Sequence, residues 1–147
     1  MVENSLYLVV ASSNDLAHTY MARSIKYNKT AYPHYLADLS SKFVRELYGL
    51  GARRIGVFSA VPVGCLPARR TVQGIKRNCS DKLNKMALQF NAKLSPALEA
   101  LGKESPGSKI VFIDVYDTLY DMIENPKNYG KYQYTCVFLL HDTLLPR

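Results

Sequence analysis

Four small polar residues, Ser12-Ser13-Asn14-Asp15, follow directly on the apolar run from Leu6 to Ala11. Residues of these types at a strand end can do chemistry. Asn14 offers a side-chain amide, one way to donate to a developing oxyanion. Ser12 or Ser13 can act as a nucleophile only beside a positioned base. His18 is close in sequence and is the first candidate base, whereas His34 opens a helix and His141 lies in a tail without clear periodicity. Asp15 can equally cap or turn the chain. Taken alone, the stretch reads as a turn.

Other constellations are poorer. No spacing among His, Cys, Asp and Glu fits a metal site, and no Gly-rich phosphate loop follows a strand. Asp114 ends a strand, but a phosphoacceptor domain would also need an acidic pair near its start, which is absent. Cys65 and Cys79 can close a loop of about 15 residues, worth roughly 3 kcal/mol in the chain-entropy model. Their spacing alone fits two separate thiols equally well. Asn28-Lys29-Thr30 and Asn78-Cys79-Ser80 match the N-glycosylation pattern, which leans towards export.

These residues need a scaffold, and the chain has enough length for one. Its 147 residues suit one domain, and 48% hydrophobic with 21% charged residues is ordinary for a globular protein. The net charge of +7 is spread over Arg53-Arg54, Arg69-Arg70, Lys76-Arg77 and Lys82/Lys85 without a nucleic-acid motif, so a solvated surface is expected and no nucleic-acid partner. No apolar run reaches the ~18 residues of a membrane span. Met1 to Val10 has no basic n-region or cleavage site, so no signal peptide is read here; any export signal is expected to lie outside this chain.

Leu6 to Ala11, the run within Arg53–Val61, and Lys109 to Val115 read as three strands buried on both faces. Residues 16–32 read as a loop. Pro33 then opens a helix whose apolar face is Leu36, Leu39, Phe43, Leu47 and Leu50. Pro62 to Asn78 reads as a long irregular loop. Ser80 is placed as the N-cap of a second helix with face Leu83, Met86, Phe90, Leu94, Ala97 and Leu101, kinked or split at Pro96. A third helix spans about Asp117 to Glu124. Alternating strands and helices imply an α/β fold with a parallel sheet, helices on both faces, and the chemistry at the carboxyl ends of the strands. Ser12 to Asp15, the 60s loop and Asp114 to Asp117 all fall there.

At this point the sequence resembles a family. From about Ser5 to Gly130 it is similar to the plant GDSL esterases/lipases of the SGNH hydrolase superfamily. The matching blocks are Ser12-Ser13-Asn14-Asp15 (Gly-x-Asn-Asp in the family), "GARRIGVFSAVPVGCLPARRT", "RNCSDKLNKMALQFNAKL" and "PGSKIVFIDVYDTLYDMIENPKNYG". The resemblance implies a three-layer α/β/α sandwich of flavodoxin-like order, present here in part. It implies a secreted carboxylic ester hydrolase with no metal or other cofactor, acting on small-molecule or lipid esters. A Ser of a Gly-Asp-Ser block attacks, a His of an Asp-x-x-His block activates it, and Asn14 takes the place of the family's oxyanion-binding Asn. Ser12, Ser13 and Asp15 would support it.

The departures are informative. The chain holds no Gly-Asp-Ser and no C-terminal Asp-x-x-His block, and Ser12 stands where the family has Gly. Whether this chain is itself an enzyme is therefore open at the level of sequence. Residues 1–130 are read as part of the hydrolase domain and 131–147 as a divergent tail. The expected function is GDSL-type ester hydrolysis, catalytically incomplete in this chain. The alternative is a non-catalytic fragment that binds a partner or a lipid or carbohydrate ligand. The resemblance also places the nucleophile's strand beside the one ending at Asn14. Without it, Leu6 to Ala11 would be a bare edge, and marginal stability or self-association is expected.

Overall fold

Tyr7, Val9, Ile55, Val57, Ile110 and Phe112 share one face of a small parallel sheet, and this face carries the core. The computed structural model describes residues 2–19, 31–72 and 78–130, without the side chains of 18, 19 and 72. The sheet consists of β1 (Leu6–Val9), β2 (Arg54–Phe58) and β3 (Lys109–Ile113), in that spatial order. Pairing is parallel throughout, with Tyr7 opposite Ile55 and Ile55 opposite Ile110. Each crossover contains a helix, as parallel pairing requires.

The helices are α1 (Ala31–Gly49), α2 (Pro67–Val72), α3 (Asp81–Glu104) and α4 (Tyr116–Glu124). Helices α1 and α3 pack on each other and join Val9, Ile55 and Val57 in one core with Val44, Phe90, Leu94 and Leu98. Two successive crossovers in one direction, each right-handed, bring their helices to the same side of a sheet. The opposite face carries Leu6, Leu8 and Val111, and among the described residues it has no comparable layer: these three are 66%, 57% and 41% exposed. On that face Leu8 and Ile113 close over Gly56, each with a methyl carbon 3.0 Å from where a Cβ would lie.

The architecture is α/β with a parallel sheet, as the alternation of elements predicts. Several local expectations need correction. The strands are buried on one face, because the described residues supply helices to only one side. On α1 the buried residues are Tyr32, Pro33, Ala37 and Val44, while Leu39, Phe43 and Leu50 are exposed. Leu36 and Leu47 of the expected face do pack, half-buried, against the core, so the buried stripe is rotated towards Ala37 and Val44 and not replaced outright. The helix also begins at Ala31, within the stretch read as a loop. There too, Leu16 and Ala17 are fully buried. The stretch after Pro62 is more regular than expected, with a 3-10 turn at Val63–Cys65 and α2 opening on Pro67.

Helix α3 buries Leu83, Met86, Phe90, Leu94 and Leu101 as its spacing predicts, with Ala97 only half-buried. It runs unbroken through Pro96. Pro96 is exposed, and so is Ala92, whose carbonyl loses its helical partner; water can satisfy it. Ser80 stands at the N-cap, but its side chain makes no capping bond.

Candidate functional site at the carboxyl edge of the sheet

The turn after β1 is held from below by an apolar anchor. Leu16 and Ala17 sink into the core, and the Leu16 N–H donates to the Ser12 carbonyl at 2.9 Å. Between these fixed points Asn14 is exposed, while Ser13 and Asp15 are half-buried. Ser12 is buried with φ at 99°, in the left-handed region. A Cβ is unfavourable there. This explains in physical terms why a Gly at this position suits the motif.

The neighbouring strand ends are lashed together by side chains that the sequence reading did not single out. Ser59, after β2, accepts the Val115 N–H on its Oγ at 3.0 Å and donates its own N–H to the Ile113 carbonyl at 2.9 Å. Asn91 of α3 binds both backbone groups of Ala60: its Oδ1 accepts the N–H at 2.7 Å and its Nδ2 donates to the carbonyl at 3.0 Å. One helical repeat earlier, Asn84 accepts the Gly64 N–H at 2.8 Å and directs its Nδ2 at Cys65 Sγ, 3.4 Å away. Two asparagines seven residues apart within an apolar stripe were the available sequence signal.

Gly64 is confined by this arrangement. A Cβ there would meet the Ser80 carbonyl oxygen and the Asn84 side chain. Cys65 and Cys79 are joined as a disulfide with Cα atoms 4.3 Å apart, closing a loop that contains α2 and ends just before α3. Glu124 Oε1 lies 3.7 Å from Cys79 Sγ. These three donors form a cluster, but both sulfurs are spent on each other.

The turn at Asp15–Thr19 packs beside Val63–Cys65, so the Asn14 segment and the 60s loop come together. Asp114 faces its own helix, where its Oδ1 accepts the Tyr116 N–H at 2.9 Å. It is a structural cap. Tyr116 is buried below it, and burial first, then Tyr120 and Asp117, raises its hydroxyl above the usual tyrosine range. The arrangement presents one amide donor, Asn14, on a braced and open strand end. His34 is exposed on α1. The side chain of His18, and Asn28 and His141 entirely, lie outside the described residues; Asn78 is exposed.

Comparison with known proteins agrees with this layout. Residues 2–135 match the family model described as GDSL-like lipase/acylhydrolase. A GDSL esterase/lipase of Arabidopsis thaliana is 76% identical over 131 residues, covering 88% of this chain and 36% of that protein. A second from the same plant is 59% identical over 134 residues, covering 90% of this chain and 46% of the relative. A third is 47% identical over 133 residues, covering 88% and 36% respectively. The chain thus spans less than half the length of each of these relatives. A family match across most of its residues, on a parallel α/β frame, shows that the chain belongs to the GDSL lipase/acylhydrolase family.

Proposed function

We propose that this chain supplies part of the active site of a carboxylic ester hydrolase, with Asn14 as an oxyanion donor. The observation that supports this is the placement of Asn14: solvent-open, yet fixed between buried Ser12 and buried Leu16. A donor of this kind must be in place before charge develops. When a serine oxygen attacks the ester carbonyl, the carbonyl electron pair moves onto oxygen and the Asn14 amide meets the resulting oxyanion. Collapse of that intermediate expels the alcohol and leaves an acyl-serine, which water then cleaves. Ser13 and Asp15 flank the donor.

The chain carries no Gly-Asp-Ser, and its one Asp-x-x-His spacing, Asp15-Leu16-Ala17-His18, follows β1 directly and is not a C-terminal block, so on this reading it is catalytically incomplete by itself. Purified chain should hydrolyse p-nitrophenyl butyrate at the background rate. Residues 5–130 grafted in place of the matching segment of the 76%-identical relative should give an active esterase. In that chimera, Asn14→Ala should lower kcat by about 100- to 1,000-fold. An unchanged kcat, or genuine turnover by the chain alone, would refute the proposal. Secretion into an oxidising compartment fits the disulfide. Among the described residues no helix is long and apolar enough to cross a membrane.

A second, non-catalytic reading is favoured by the exposed face of Leu6, Leu8 and Val111 and by β1 standing at the end of the described sheet. On this reading the chain self-associates through its sheet, and Leu8→Lys shifts it to monomer in light scattering. A wild-type chain that is already monomeric at high concentration removes this reading.

A further inference from the structure

Asn78, Cys79 and Ser80 form an N-glycosylation pattern whose middle residue is a cysteine, and the fold sets its three positions in different surroundings. Asn78 is exposed. Cys79 is half-buried and tied to Cys65. Ser80 is only 7% exposed. Its N–H donates to the Gly64 carbonyl at 2.9 Å, and its own carbonyl accepts the Asn84 N–H at 3.0 Å. Attachment of a glycan needs another arrangement, a surface segment on which the Asn amide and the Ser hydroxyl are reached together. A glycan already on Asn78 therefore fits the folded chain, but the buried and pinned Ser80 keeps one from being attached there.

We propose that Asn78 accepts an N-linked glycan only until Cys79 joins Cys65, so that its occupancy is decided by a race between transfer and closure. In transfer, the Asn78 amide nitrogen attacks the anomeric carbon of a polyisoprenyl-diphosphate oligosaccharide. The C–N bond forms as the C–O bond to diphosphate breaks; the diphosphate leaves with the electron pair and the nitrogen gives up one proton. In closure, the Cys65 and Cys79 thiols pass two electrons and two protons to a disulfide oxidant, which leaves as its dithiol. The two reactions overlap in time. Cys79 follows Cys65 by 14 residues, about 1–3 s of synthesis, and disulfides form in seconds or longer. Closure tethers the pattern at its central residue, and docking of α3 then buries Ser80 as well. The proposal rests on entry into an oxidising secretory compartment and not on the ester chemistry of Asn14.

The test is cell-free synthesis of the full chain, behind a cleavable signal sequence, with microsomal membranes. Asn28→Gln is present throughout, so that a mobility shift removed by endoglycosidase reports Asn78 alone. Wild-type chain is expected to shift only in part, and a thiol reductant should move the larger share into the shifted band. Cys65→Ser keeps the Asn-Cys-Ser pattern while removing the link, and should do the same without reductant. Asn91→Ala weakens the fold but keeps both cysteines, and should leave the wild-type proportion unchanged. Ser80→Ala should abolish the shift. Because the signal sequence is supplied, the result is independent of how the native protein is exported. No shifted band under reduction, full occupancy in unreduced wild type, an unchanged proportion in Cys65→Ser, or an equal rise in Asn91→Ala would each overturn the proposal.

Discussion

Asn91 on α3 binds Ala60, just beyond β2, through both the N–H and the carbonyl of that one residue. Neither group belongs to the sheet ladder, and Ala60 and Asn91 are both buried. The side chain thus stands in for a missing strand neighbour at the carboxyl edge. Asn91→Ala leaves a buried donor and a buried acceptor unpaired, and should cost about 2–4 kcal/mol in urea unfolding. Asn91→Leu, which is closer in size, should not restore the loss. Recovery by Leu would mean that packing, rather than pairing, is what matters.

Ser12 tests backbone strain. With φ at 99° and an unpartnered buried hydroxyl, it is less comfortable than Gly would be. Ser12→Gly should therefore raise stability by about 1 kcal/mol, and Ser12→Val should lower it by at least as much. Thermal unfolding of the three proteins decides this.

Closure of the 60s loop depends on the Cys65–Cys79 link, with a sequence separation of 14. Reduction, or a Cys65→Ser/Cys79→Ser double variant, should cost about 3 kcal/mol. Since Asn84 directs its amide at Cys65 and binds the Gly64 N–H, hydrogen exchange at Gly64 should quicken in the same variant. Protection that survives reduction would assign the loop's order to Asn84 alone.

Asp121 on α4 accepts hydrogen bonds from Tyr129 and from Asn125, and in that order these hold its carboxyl below the usual aspartate value. The partner hydroxyl of Tyr129 is raised by the same contact. A depressed folded value means the contribution is present above the unfolded pKa and is lost as pH falls through the folded one. NMR titration of the Asp121 carboxyl should give a midpoint below 3.8. In Tyr129→Phe the midpoint should move up towards it. An unmoved midpoint would show the contact to be absent in solution.

Sequence alone settled the family and the order of strands and long helices, though not the short α2, because these are written locally. Runs rich in valine and isoleucine mark the strands, and three- and four-residue apolar steps mark α3, whose buried face follows that spacing. Asn14 was legible for the same reason: a polar tetrad closing a buried run, set among blocks of one family. Tertiary structure decided which apolar residues are inside. Leu39 and Phe43 have the right period for a core but look out, while Ala37 and Val44 on the same helix are fully buried, because packing against the rest of the core sets the rotation of α1. It also decided what Asn84 and Asn91 do. Their partners, Gly64 and Ala60, lie 20 and 31 residues away, and no local pattern specifies a hydrogen bond made only when a helix settles against a sheet edge.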